Sequence, residues 1–260
     1  MFWWFMKYVL LGPILRLMYR PKVKGLENIP KDGPAVLAAN HQSFLDDLLL
    51  PLVVPGRKVV FLGKADYFDK WYLRWFFKGA NVIPVRRESR SAAEDALHAG
   101  VRALRDDKLV GIFPEGTRSP DGRLYRGKTG VARMALEARV PVIPVAISGT
   151  FELMPYDRKV PKAGRVELRF GKPLLFDRHY ETPADRFVLR SVTDEIMYEI
   201  MLLSGQEYVD EYASRVKAQM AGAEKETEPE TPGSSGSVKQ PAATGSSHTE
   251  SVASEEPPSR

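Results

Sequence analysis

The run Ala38-Ala39-Asn40-His41-Gln42-Ser43-Phe44-Leu45-Asp46-Asp47 places a histidine five residues ahead of a carboxylate. An imidazole titrates near neutrality and can serve as a general base. A carboxylate on its second nitrogen fixes the tautomer and stabilises the imidazolium. Five helical steps turn the chain by about 500°, which leaves the two side chains about 140° apart on a regular helix. His41 and Asp46 therefore meet only if the chain bends between them, as at a strand-to-helix junction. Asp47 competes for the same role. By spacing alone, a capped helix start with a packed histidine fits the pattern as well. Of the other histidines, His98 falls in a helical pattern, His179 in a charged loop, and His248 in the polar C-terminal stretch.

Three further segments carry chemistry-bearing residues. Phe113-Pro114-Glu115-Gly116-Thr117-Arg118-Ser119-Pro120-Asp121-Gly122 follows an apolar run. Gly116 lets backbone approach a ligand, and Arg118 offers a planar fork suited to phosphate. Glu115 can orient Arg118 or accept from a ligand hydroxyl; the same residue types also make ordinary turns. Arg86 and Arg87 follow the run ending at Val85. Val140–Thr150 is apolar, and Pro141 and Pro144 suit an edge strand better than a central one. The chain has no cysteine, which excludes a thiol nucleophile, a disulfide framework and a zinc–cysteine site. No residue cluster requires a metal, and no cofactor is implied.

The elements that must position these residues alternate. Ala35–Ala39, Lys58–Leu62, Val82–Val85, Leu109–Phe113, Val142–Ile147 and Val166–Phe170 have the character of buried strands. Ser91–Asp106 is helical in period, with Ser91 and Glu94 in a capping-box pattern. Thr129–Ala138 is a second helix. Pro183–Leu203 is a third, with Thr182 as its cap and Gly205 after its end. Phe68, Trp71, Tyr72, Trp75 and Phe76 share one helical face, beside a stripe of Lys70, Arg74 and Lys78; the pattern fits a membrane surface and core packing equally. This alternation predicts an α/β domain with a mainly parallel central sheet flanked by helices, over residues 21–220.

The ends differ from the middle. Met1–Leu15 holds one charge, Lys7, and is interrupted at Gly12-Pro13. As a helix it spans about 22 Å, short of the roughly 30 Å hydrocarbon core. Arg16, Arg20, Lys22 and Lys24 follow. Neither a charged start nor a cleavage motif marks a signal peptide. Residues 1–20 are expected to form a membrane-associating helix lying in one leaflet, with the basic cluster at the headgroups. Residues 221–260 carry seven acidic and three basic side chains, and no aromatic, Leu, Ile or Met. They are expected to form a disordered acidic tail. Residues 1–220 hold 35 basic and 26 acidic side chains, a net charge of +9 that attracts phosphate-bearing partners.

In this order the fragments resemble the glycerophospholipid acyltransferase family, in particular bacterial 1-acylglycerol-3-phosphate acyltransferases, over roughly Val23 to Gly171. Asn40-His41-Gln42-Ser43 with Asp46 matches the first family motif. Phe113-Pro114-Glu115-Gly116-Thr117-Arg118 matches the third, and Val142-Ile143-Pro144-Val145 is similar to the fourth. The second is matched in part: Arg87 falls on its arginine, Arg86 stands where an acidic residue is common, and Lys64-Ala65-Asp66-Tyr67 replaces the usual Lys-x-Glu-Leu. The resemblance implies a glycerol-3-phosphate acyltransferase-like fold. It implies that His41 acts as base on an acceptor hydroxyl and that Asp46 orients it. Arg87, Glu115, Gly116, Thr117, Arg118 and Lys64 would hold the acceptor phosphate, and Pro144 would shape the acyl or pantetheine approach. Backbone amides near the first motif are the expected oxyanion donors. Ser43 lacks a nucleophile elbow and is expected to shape the turn.

The implied reaction acylates 1-acylglycerol-3-phosphate (lysophosphatidic acid) at its sn-2 hydroxyl, from acyl-CoA or acyl carrier protein, to give phosphatidic acid. The implied location is the cell membrane, peripheral or monotopic on the cytoplasmic face. The same chemistry on glycerol 3-phosphate, another lysophospholipid or a glycolipid is the near alternative, and a non-catalytic membrane-binding module the more distant one. Nucleic acid is not an expected partner, because no recognition motif accompanies the positive charge.

Overall fold

The computed structural model describes residues 5–64, 82–85, 90–156, 158 and 160–227. Arg86 and Arg87, the aromatic stripe Phe68–Phe76 and His248 lie outside the described residues. A seven-stranded sheet runs in the order β1-β8-β7-β2-β5-β3-β4. Its strands are β1 (Lys22–Lys24), β2 (Ala35–Ala39), β3 (Val59–Lys64), β4 (Val82–Val85), β5 (Leu109–Ile112), β7 (Val142–Ser148) and β8 (Glu167–Phe170). Only the β7–β8 pairing is antiparallel, so the sheet is mainly parallel, as the alternating pattern predicts. β6 (Leu124–Tyr125) and β9 (Tyr208–Val209) form a separate parallel pair.

Period-two alternation explains the layering. Val36 and Ala38 of β2 face one apolar cluster, with Val60, Val110 and residues of α3 (Arg90–Arg105), α4 (Gly130–Ala138) and α6 (Arg186–Ser204). Ala35, Leu37 and Ala39 face the other, with α1 (Leu11–Tyr19), α2 (Phe44–Val53) and Leu153 of the one-turn helix α5 (Thr150–Leu153). All five residues of β2 are fully buried, so this central strand is a rigid base for whatever follows Ala39.

Several expectations need correction. β7 is internal, between β8 and β2, not an edge strand. Pro144 is tolerated because its carbonyl, and hence its missing N–H, faces β8 where that strand has ended; the Pro144 carbonyl accepts from Gly171 N at 2.8 Å. α6 is capped by Asp185, not Thr182: its Oδ1 accepts from Phe187 N and Val188 N at 2.8 and 3.1 Å. One carboxylate there satisfies two first-turn amides. Gly205 closes that helix at φ 69°, as expected. The last helix, α7 (Ala213–Thr227), continues past residue 221, where disorder is expected. Ala221, Ala223, Glu224, Lys225 and Glu226 are strong helix formers, which carries it on.

The N-terminal segment does not break at Gly12-Pro13. A π-helical turn (Met6–Leu10) runs directly into α1, and Pro13 falls in the first turn of α1, where proline is best tolerated. Leu15 and Tyr19 dock it on the domain, each burial contributing about 1.5–3 kcal/mol. No helix among the described residues is long and apolar enough to cross a membrane.

Candidate active site

β2 ends at Ala39, and the four residues Asn40–Ser43 turn the chain into α2. This is the bend the His41–Asp46 pairing requires. Asn40 locks the turn to β7 with two bonds to Ile147, Nδ2 donating to its carbonyl at 2.9 Å and Oδ1 accepting from its amide at 2.7 Å. Ser43 is the N-cap of α2, its hydroxyl accepting from Leu45 N, with Asp46 reaching back to complete a capping box. Ser43 Oγ donates to Met154 O at 2.6 Å, so it shapes the turn and is not poised as a nucleophile.

Asp46, rather than Asp47, meets the histidine. Its fully buried Oδ2 lies 3.1 Å from His41 Nδ1 and accepts from Gln42 N and Ser43 N at 2.7 and 2.8 Å. Two backbone amides aimed at one oxygen hold the carboxylate in place. The carboxylate then accepts a hydrogen bond from Nδ1–H, which leaves the Nε2 lone pair as the base. The imidazole stacks on Phe113 at 3.9 Å between centroids, and Phe113 stacks on Phe61 at 5.8 Å. Gly111 makes room for this column, since a Cβ there would sit 2.5 Å from the Phe61 ring.

The second loop, residues 113–119, is bonded to the first. Ser119 N donates to His41 O at 2.7 Å, and His41 N donates to Glu115 Oε1 at 2.8 Å. Glu115 Oε2 accepts from Tyr125 N at 3.0 Å. Glu115 is 1% exposed and its oxygens are turned to backbone amides, so it ties loops together instead of facing a ligand. Burial pushes its carboxyl up to about 8, against the two amide bonds, which pull it down. Gly116 turns at φ 74°, and a Cβ there would come within 3.0 Å of the Lys128 side chain. Thr117 and Arg118 follow, both half-buried.

The remaining expected residues divide. Lys64 is the last residue of β3, and only its backbone is described. Pro144 is buried in β7 and pairs with Ala38, so it supports the sheet beneath His41 instead of lining an approach. The amides of His41, Gln42, Ser43 and Leu45 all have internal acceptors, so the expected oxyanion donors are not these. His98 and His179 are apart from the site: His98 is an exposed residue of α3, and His179 bonds to Arg178 in a short turn. Sequence reasoning missed Gln206, whose side chain joins Asn40 Nδ2 (2.7 Å) to Gly122 O (2.6 Å). It also missed Lys217, which donates to Thr117 Oγ1 at 3.2 Å from α7. Neither belongs to a motif, and only their place in the fold marks them.

A family model described as Acyltransferase matches residues 20–148, which include both loops. A Bacillus subtilis 1-acyl-sn-glycerol-3-phosphate acyltransferase is 30% identical over 162 residues, covering 62% of this chain and 77% of that protein. The chloroplastic 1-acyl-sn-glycerol-3-phosphate acyltransferase LPAT1 of Arabidopsis thaliana is 35% identical over 158 residues, 60% of this chain. The chain spans less than half of the chloroplastic relatives it matches, 44% of that protein and 45% of one from Brassica napus. The crystal structure of the 1-acyl-sn-glycerophosphate acyltransferase PlsC from Thermotoga maritima superposes with a TM-score of 0.60 and 28% identity, over 78% of this chain and 87% of that one.

Proposed function

Because the chain belongs to the glycerophospholipid acyltransferase family, we propose that it transfers a fatty acyl group from an acyl thioester to the sn-2 hydroxyl of 1-acylglycerol-3-phosphate, giving phosphatidic acid. The carrying observation is the 3.1 Å contact between His41 Nδ1 and Asp46 Oδ2, which leaves Nε2 as the base. Nε2 removes the hydroxyl proton as the acceptor oxygen bonds to the thioester carbonyl carbon. The tetrahedral oxyanion collapses, the C–S bond breaks, and the imidazolium returns the proton to the leaving thiolate. Asp46 stabilises the imidazolium throughout. No residue is acylated, and neither of the two candidate donors, acyl-CoA or acyl carrier protein, changes this sequence.

Arg118 is assigned to the acceptor phosphate, because its guanidinium has no carboxylate within ion-pair distance among the described residues and its loop is bonded to His41. Arg87 and Lys64 join it by family resemblance. Phosphatidic acid formed from lysophosphatidic acid by the detergent-solubilised protein, with oleoyl-CoA or oleoyl acyl carrier protein, tests the assignment. Faster acylation of glycerol 3-phosphate or of another lysophospholipid in the same panel would keep the chemistry and overturn the acceptor.

The same proposal places the protein on the cytoplasmic face of the cell membrane. Phe5, Val9, Leu10, Ile14 and Leu17 are exposed, Leu17 by 75%, while Lys7, Leu15 and Tyr19 face the domain. An apolar row left uncovered on a docked helix suits a lipid interface. Part of the basic cluster is engaged internally: Lys24 pairs with Glu167 at 3.0 Å, which leaves Arg16, Arg20 and Lys22 for headgroups.

A further inference from the structure

Helix α7 lies beyond the residues that the family model matches, yet it reaches the 113–119 loop. β9 pairs with β6 immediately after that loop, Leu124 with Tyr208 and Tyr125 with Val209. Arg126 N donates to Val209 O and Glu211 O at 3.1 and 3.0 Å, and the Arg126 guanidinium lies 5.6 Å from the Tyr212 ring centroid. Ala213 is fully buried, and Lys217 follows one turn later on the same face. Its Nζ lies 3.2 Å from Thr117 Oγ1 and 4.9 Å from the Tyr156 ring centroid.

This setting is electrostatically unfavourable as it stands. Burial lowers the Lys217 pKa, and the Arg118 charge lowers it further. The Glu115 charge opposes this, but its oxygens are bonded to the amides of His41 and Tyr125. Among the described residues, neither Lys217 nor Arg118 has a carboxylate within ion-pair distance. A cation on the loop and one reaching it from α7 repel, and a dianion between them converts that repulsion into two charge-assisted interactions. The Thr117 hydroxyl, accepting from Lys217, keeps a proton to donate to the same anion.

We propose that Lys217 is a further phosphate-binding residue, which with Thr117 and Arg118 completes the acceptor headgroup site from the C-terminal helix. This rests on the acyl-transfer reading above and adds a residue to it. The rival role is structural: Lys217 pins α7 over Tyr156 and touches no ligand.

The test uses the full chain in detergent, with wild type, Lys217→Met, which keeps an apolar stem on Tyr156, and Lys217→Arg, which keeps the charge. Steady-state kinetics give kcat and the two KM values. Calorimetric titration with 1-oleoylglycerol 3-phosphate, without acyl donor, gives binding directly. Lys217→Met should raise the acceptor KM and weaken binding by about tenfold, a typical loss for one charged hydrogen bond. The donor KM should hold, kcat should stay within about threefold, and Lys217→Arg should recover most of the binding. Unchanged acceptor binding in Lys217→Met would overturn the proposal. So would a fall in melting temperature and kcat that Lys217→Arg does not reverse. If wild type transfers no acyl group, the titration still decides: binding that depends on Lys217 keeps the anion site and discards the enzyme reading, and absence of binding discards both.

Discussion

Lys7 and Lys217 sit at opposite ends of the chain and share one electrostatic signature. Each has its pKa lowered first by burial and then by a neighbouring arginine, Lys7 to about 8 beside Arg16 and Lys217 beside Arg118. Their partners differ. Lys7 is 4% exposed, and its Nζ donates to Pro51 O at 3.0 Å and to Val54 O. Those carbonyls belong to the C-terminal end of α2, where backbone acceptors are orphaned and the helix dipole is negative. Lys7 is thus satisfied inside the protein. Lys217 has one hydroxyl and a facing cation. A lowered lysine pKa does not mark a ligand site by itself; the groups its protons point at do.

Arg118→Met removes the cation that faces Lys217, and should raise the acceptor KM by about a hundredfold, the loss expected for a bidentate charged contact. A rise no larger than that of Lys217→Met would place Arg118 off the phosphate. Lys7→Met orphans the α2 carbonyls and should cost about 2–3 kcal/mol in urea unfolding, with the acceptor KM unmoved. A KM change there, at wild-type stability, would erase the distinction between the two lysines. Leu10→Glu with Leu17→Glu alters only the uncovered side of the π-helical turn and α1. It should release most of the protein from vesicles containing anionic lipid in a flotation assay, while Lys7 keeps the helix docked.

The smallest expected effect is a pH slope. Burial raises the Glu115 carboxyl from 4.5 to about 8, so the native state holds a proton that the unfolded chain has lost across that window. The contribution to stability is complete below pH 4.5 and is lost as pH rises to about 8. Urea unfolding from pH 5 to 8 should show stability falling more steeply in wild type than in Glu115→Gln.

The sequence made much of the site legible because its cues are local. A buried apolar run, then Asn-His-Gln-Ser, then a helix capped by Ser43 predicts a bend, and only a bend joins His41 to Asp46. What stayed hidden depends on pairings between distant segments. Glu115 looks like a turn residue until β6 supplies the Tyr125 amide for its second oxygen. Pro144 looks like an edge residue until β8 is seen to end beside it. The amides of the first loop look available until Asp46 and Glu115 occupy them. Lys217 is a lysine in an amphipathic helix, and nothing near it in sequence points to Thr117, a hundred residues earlier. The segment carrying Arg87 and the aromatic stripe remains an expectation of the sequence alone.

In the proposed reaction His41 Nε2, oriented by Asp46, deprotonates the acceptor hydroxyl. The most direct measurement is the single-turnover rate of phosphatidic acid formation from oleoyl-CoA and saturating lysophosphatidic acid, for wild type and His41→Ala at matched melting temperature. The variant should lose about 10²–10⁴-fold, the usual contribution of a general base, with acceptor binding retained. A variant that still forms phosphatidic acid within about threefold of the wild-type rate would contradict that role for His41.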